Sequence, residues 1–452
     1  MSARTLRAAV AALGVALFAP AAQADDLNRT LTDAYENSGL LEQNRAVLRA
    51  ADEDVAQAVS RLLPVLNWTG SVDAQSPIAP GQDRITGSLS LAASLNLYDG
   101  GANRYAIAAQ KELVLGTRQA LRGVEQEVLF RAVQAYMSII GSQEIIRLRE
   151  NNVRLLQQEL NAANDRFDVG EVTRTDVALA QAQLAESNSL LVSARGDLEQ
   201  AIAEFEVAVG RAPGAISAAR PAPVSNTEEQ AAAIAMRSHP AILEAQFGVA
   251  ASELSIARAE SAYRPSADLT ARIGTSLEGD IGRSVGVTFG GPIYSGGQIA
   301  SAVRQAVAQR DQSRAGLRLT TLNVRQQVAN AYAVLQVARA QLSSTAEQVR
   351  AARLAFDGIR EEATLGARTT LDVLNAEQDL LDARAAVIQA QVAEVNASYA
   401  VLQSMGLLTA EHLRLPVQSY DPAAYYEQVK DAPPALSRQG QALDRVLGAI
   451  GQ

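Results

Sequence analysis

The chain is built twice. At a constant offset of 196 residues Tyr98 falls on Tyr294, Gly100-Gly101 on Gly296-Gly297, Ala135-Tyr136 on Ala331-Tyr332, Gly170 on Gly366, Asp176 on Asp372 and Gly210 on Gly406. Any fold must therefore accommodate one succession of elements two times over. Upstream the offset becomes 201, with Pro64 matching Pro265, so the first copy holds five extra residues, assigned to the stretch "SPIAPGQDR". An insertion tolerated there is the mark of an exposed loop. The repeat divides the chain into a leader (1–24), a first copy (25–212), a proline-rich linker (213–226), a second copy (227–412) and a tail (413–452) expected to be peripheral and partly disordered.

Each copy reads as helix, two strands, long helix, turn, helix. In "ITGSLSLAASLNLY", Ile85, Leu89, Leu91, Leu95 and Leu97 point one way and Thr86, Ser88, Ser90, Ser94 and Asn96 the other. "LNWTGSVD" sets Leu66, Trp68 and Val72 against Asn67, Thr69, Ser71 and Asp73. In the second copy Leu269 and Ile273 oppose Asp268, Thr270 and Arg272, while Val285, Val287, Phe289 and Ile293 oppose Ser284, Gly286 and Thr288. A soluble sandwich gives the same alternation, but four strands flanked by very long helices are too few for one.

Strands of about 10 residues, apolar outside and polar inside, fit a transmembrane barrel that encloses water. Four strands cannot close such a barrel, so two or more chains must share it, and three chains supply twelve strands. Trp68, Leu89, Leu91, Leu95, Val287 and Phe289 are then expected to face lipid. For Trp68 the competing expectation is burial between strand and helix. Beyond Tyr98 a helical pattern runs over residues 103–169 without proline, a rod on the order of 100 Å at the helical rise. Ile139, Ile146, Val153, Leu160 and Phe167 recur every seven residues, answered by Leu335, Leu342, Val349 and Phe356 in the second copy. Past the turns, Val177, Leu184 and Leu191 match Val373, Leu380 and Val387, so paired helices in coiled-coil contact are expected.

Composition removes other classes. A net charge of -9 with scattered basic residues offers no surface for nucleic acid. The first 24 residues have a basic start at Arg4 and Arg7, a short apolar run and Ala22-Gln23-Ala24 before Asp25, which reads as a cleaved secretory signal rather than a membrane anchor. The chain has no cysteine and two histidines, His239 and His412, expected as surface or capping residues. Neither a disulfide framework nor a zinc site is predicted, and no cofactor. No P-loop, dinucleotide fingerprint, zincin or nucleophile-elbow motif is present, so no enzyme is expected.

The turns carry the remaining information. In "VGEVTRTDVALAQAQ" and "LGARTTLDVLNAEQ" a glycine ends one helix in the left-handed conformation. Thr175 or Asp176, and Thr369 or Thr370, then cap the next helix, where an acid is stabilising in its own right.

The motifs "LYDGG" and "IYSGG" after the second strand of each copy, the prolines Pro64 and Pro265 before the first, and above all "GARTTLDVLNAEQ" resemble the TolC family of outer-membrane efflux and secretion channels. "NRAVLRAADEDVAQAVSRLLPVL" looks most like its type I secretion branch. The resemblance implies an α+β membrane protein: a homotrimer whose twelve-stranded β-barrel, surrounded by outer-membrane lipid, continues as an α-helical coiled-coil tunnel through the periplasm. It implies an exit duct without catalytic chemistry, served by a periplasmic adaptor and an inner-membrane ABC or RND-type pump, for type I protein secretion or multidrug efflux. By the same resemblance Asp372 lines the pore constriction, and Asn375 stands where the drug-efflux prototype has a second Asp. Arg368 would link to Asp176 and hold the tip shut, with Ala363 in place of a latch tyrosine. Gly170 and Gly366 would dock the adaptor. A structural coiled-coil stalk in the envelope is the competing function.

Overall fold

The computed structural model describes residues 25–74, 76, 85–224, 227–277, 279–435 and 437–450. The leader and, apart from Ser76, the insertion "SPIAPGQDR" lie outside them. The first copy consists of α1 (Leu27–Asn37), α2 (Gly39–Ser60), β1 (Val65–Ala74), β2 (Ile85–Tyr98), α3 (Ala102–Asp168) and α4 (Arg174–Val209). The second repeats the order with α5 (Glu228–Ser238), α6 (Pro240–Ser261), β3 (Ser266–Ser276), β4 (Ile281–Gly290), α7 (Gln298–Thr364) and α8 (Thr370–Ser404). The tail adds α9 (Ala410–Leu413), α10 (Ala424–Val429) and α11 (Arg438–Ile450). The helices α3 and α7 are each 67 residues long. No described helix is apolar enough over its length to cross a membrane.

By contacts the chain forms two units. One gathers residues 40–124, 232–326 and 419–452 and contains the sheet. Its four strands run antiparallel in the order β1-β2-β3-β4, which leaves β1 and β4 as open edges. Rows across the sheet follow the sequence alternation: Trp68, Leu91, Ile273 and Arg283 lie opposite one another on one face, Asn67, Ala92, Arg272 and Ser284 on the other. The polar face is hydrogen-bonded within itself, with Asn96 Nδ2 donating to Asp268 Oδ1 at 2.8 Å. The repeat offsets reappear in the register, since Leu66 opposite Ala93 maps onto Ala267 opposite Phe289, and both pairs form. Ile293, expected in the fourth strand, lies outside it: the strand stops at Gly290, and Pro292, which has no N–H to give a ladder, separates the two.

In the same unit the tail packs on α2 and α3. Leu48, Val55 and Val114 form a core against Tyr420 and Tyr426, and Ala56 packs with Tyr425, Val429 and Leu443. Tyr425 donates its hydroxyl to Glu53 Oε1 at 2.6 Å. Asp52 is fully buried in α2, and that burial pushes its carboxyl up to about 6. His239 caps α6, its Nδ1 accepting from the Ala241 N–H at 3.2 Å, just ahead of Pro240.

Of the described residues, the other unit gathers those of 25–39, 125–231 and 327–418. Leu31, Leu129, Tyr136, Ile139 and Phe205 are fully buried there. Asp25 bridges to Ile216 and accepts from Arg211 Nη1 at 2.7 Å, while the Tyr136 hydroxyl donates to the Ser217 carbonyl at 2.6 Å. The linker is thereby anchored as a strap against α1 and α3.

Candidate functional site

The two turns between paired helices are near copies. Gly170 and Gly366 adopt φ of 82° and 76°, the left-handed region that a Cβ disfavours. Each closes a Schellman motif: the Gly170 N–H donates to the Phe167 carbonyl and the Glu171 N–H to that of Arg166, while Gly366 donates to Ala363 and Ala367 to Glu362. A Cβ at either glycine would meet no atom within 4 Å, so their backbone is bare.

Capping boxes start both returning helices. Thr173 accepts from the Asp176 N–H, and Asp176 Oδ2 accepts from the Thr173 N–H at 2.8 Å. Thr369 and Asp372 do the same, at 2.9 Å for the reciprocal bond. The cap is therefore Thr173 rather than Thr175 or Asp176. The reason is geometric: the acid must stand at the third helical position to reach back, which puts the cap three residues before it. Of the two threonines proposed in the second copy, Thr369 is the cap. Bonds from the threonine side chain and backbone hold the Asp176 carboxyl below its usual range; for Asp372 the Thr369 backbone bond leads, then its side chain.

Within the chain Arg368 pairs with Glu362, Nε to Oε2 at 2.8 Å, and not with Asp176. Asn375 is exposed one turn beyond the capping box. Sequence reasoning missed Glu377. It is 5% exposed, and neither of its carboxylate oxygens has a hydrogen-bond partner. It lines a cavity of about 200 Å³ among α3, α7 and α8, with Asn151, Asn152, Arg353, Phe356 and Arg384. Burial pushes the Glu377 carboxyl up to about 7; Glu159 adds to the shift and Arg360 opposes it. The one available signal was its counterpart under the repeat, Gln181, an exposed neutral residue where the second copy has an acid.

On the sheet, Trp68 is 76% exposed, so it is not buried between strand and helix of its own chain. Leu89, Leu91, Val287 and Phe289 are exposed and Leu95 half-buried, all on the apolar face. Among the described residues no cluster of acids and histidines could hold a metal ion.

This arrangement has known counterparts. A family model described as outer membrane efflux protein matches residues 30–211 and 232–407, the two copies in turn. The chain is 38% identical over 435 residues to the outer membrane efflux protein BepC of Brucella suis biovar 1 (strain 1330), covering 94% of each. It is 28% identical over 319 residues to the alkaline protease secretion protein AprF of Pseudomonas aeruginosa, covering 67% of this chain and 65% of that one. Its fold matches the crystal structure of the Campylobacter jejuni CmeC outer membrane channel with a TM-score of 0.75 at 17% identity, over 90% of both chains. The chain belongs to the outer membrane efflux protein family: it is a TolC-type outer-membrane channel protein, a conduit rather than an enzyme, with a four-stranded open sheet and a long helical periplasmic extension.

Proposed function

We propose that three copies close a twelve-stranded barrel and serve as the exit duct of a tripartite export system, receiving cargo from an inner-membrane pump through a periplasmic adaptor. The observation that carries this reading is the sheet itself: apolar on one face, polar on the other, and open at both β1 and β4. Open edges in a membrane must be paired, since lipid offers the backbone no hydrogen bonds. A stalk has no use for a polar face opposite every apolar one. The similarity to BepC and to AprF supports efflux and protein secretion alike.

The repeat specifies how neighbours would meet. Leu91 lies opposite Ile273 at the internal seam between β2 and β3. Carrying each residue to the other copy by the offsets of 196 and 201 puts Val287 of one chain opposite Val72 of the next. At the tip, Asp372 and Asn375 form the constriction, Arg368 exchanges Glu362 for Asp176 of an adjacent hairpin in the closed state, and Gly170 and Gly366 present bare backbone to the adaptor. Because the chain has no cysteine, a Val72→Cys, Val287→Cys double variant reports the seam directly. Oxidation should give a ladder ending at a closed trimer, and the protein should conduct in planar bilayers. Arg368→Ser should raise that conductance with the trimer intact. Only uncrosslinked monomer and silent bilayers would end the proposal.

A further inference from the structure

The row Trp68, Leu91, Ile273 and Arg283 crosses all four strands on the apolar face and ends in a cation. The next row towards the hairpin ends is Gly70, Leu89, Thr275 and Ile281. Over these rows lies a groove of about 540 Å³ lined by Trp68, Leu89, Leu91, Ile273 and Ile281. Ser90, Gly274 and Thr275 complete its lining. Arg283 is exposed, and no ion pair among the described residues engages it.

Its depth matters. Arg283 is the third residue of β4, about 7 Å from the hairpin end at the rise of a strand. The opposite ends of the strands lead into α2, α3, α6 and α7. An Arg is costly at the midplane of a bilayer and tolerable near its surface, where the long stem lies on apolar neighbours and the guanidinium reaches the headgroups. At the helix-proximal end of the same face, the rows Leu95, Leu269, Val287 and Ala267, Phe289 contain no cation. Among the described strand residues of this face the cation stands at the hairpin end alone.

We propose that this groove is a specific site for a phosphorylated, multiply acylated glycolipid of the outer leaflet. One acyl chain lies along Trp68, Leu91 and Ile273, and Arg283 holds the phosphate through the paired N–H bonds that a guanidinium offers an oxyanion. The inference rests on reading the sheet as a barrel wall with this face outward.

Native mass spectrometry of the full-length protein in mild detergent, titrated with lipid A, phosphatidylglycerol or phosphatidylethanolamine, tests it. Lipid A should be retained at one copy per protomer and more tightly than either phospholipid. Arg283→Gln should weaken retention by about tenfold, the effect of losing a charged hydrogen-bond pair. Arg283→Lys should recover part of it. Retention that Arg283→Gln leaves unchanged, or that phosphatidylethanolamine matches, means an unselective lipid belt and overturns the site. Phosphatidylglycerol binding as well as lipid A overturns the glycolipid assignment. The same spectra separate the two readings: a trimer without lipid A sinks the site alone, and absence of a trimer sinks the barrel.

Discussion

The turn at Gly170 and the turn at Gly366 share their glycine conformation, their Schellman bonds and their capping boxes, yet the helices that leave them are packed differently. Over 36 residues α4 buries eight, whereas α8 buries fifteen over 35. Below the second turn Phe356, Val373, Ala376 and Leu380 form one core; of their counterparts in the first copy Ala180 is buried, but Leu160, Val177 and Leu184 are only half-buried. The turn is thus a local decision made by about seven residues, while burial beneath it depends on which third helix arrives. Around the Glu377 cavity α8 is walled by α3 as well as by α7.

The largest expected effect breaks this asymmetry at its core. Phe356→Ala should cost about 3–5 kcal/mol, and Leu160→Ala, starting half-buried, clearly less. Urea unfolding followed by helical circular dichroism compares them; equal losses would show that another copy covers the first hairpin in the assembly. Next comes Glu377. Its carboxyl titrates at about 7 in the folded chain against an ordinary 4.5, so the folded state binds the extra proton. That stabilisation is complete below pH 4.5 and is lost as pH rises through 7, on the order of 3 kcal/mol in all. Glu377→Gln should remove the slope and raise the melting temperature at pH 8, whereas Gln181→Glu, at the exposed equivalent, should do neither. A pH series of melting curves decides it.

Where the copies agree, their variants should agree. Gly170→Ala and Gly366→Ala meet no steric obstacle, so each should cost only the left-handed strain, about 1–2 kcal/mol, and by the same amount. Smallest are the caps: Thr173→Ala and Thr369→Ala should each lose about 1 kcal/mol, read from the same unfolding curves. A difference within either pair would mean that one turn is held by contacts beyond its own residues.

Features with a local cause were legible in the sequence. Alternation placed Trp68, Leu91 and Ile273 on one face, and the register confirms it because side chains of a strand have a period of two. Glycine and threonine spacing located both turns. Arg283 is equally readable in "GRSVGV", two residues before Val285 in the same period. Glu377 could not be read: in "NAEQ" it is an ordinary helical acid, and its burial follows from the meeting of α3, α7 and α8, which no single-helix periodicity encodes. The clasp of Tyr425 on Glu53 is of the same kind, joining residues 372 positions apart. The resemblance that located Asp372 and Arg368 supplied roles that physical reading of one chain does not.

The seam between β2 and β3 also fixes an order of events in time. Each hairpin, β1 with β2 and β3 with β4, joins neighbours in the chain and closes a short loop, an event of microseconds. The seam joins Asn96 to Asp268, 172 residues apart, and cannot form until the helices between them have brought its two sides together. Until then any hairpin that forms stands alone, with a face that avoids water and edges that accept any strand. Speed of helix folding in the periplasm therefore governs how long the strands remain a hazard to other proteins.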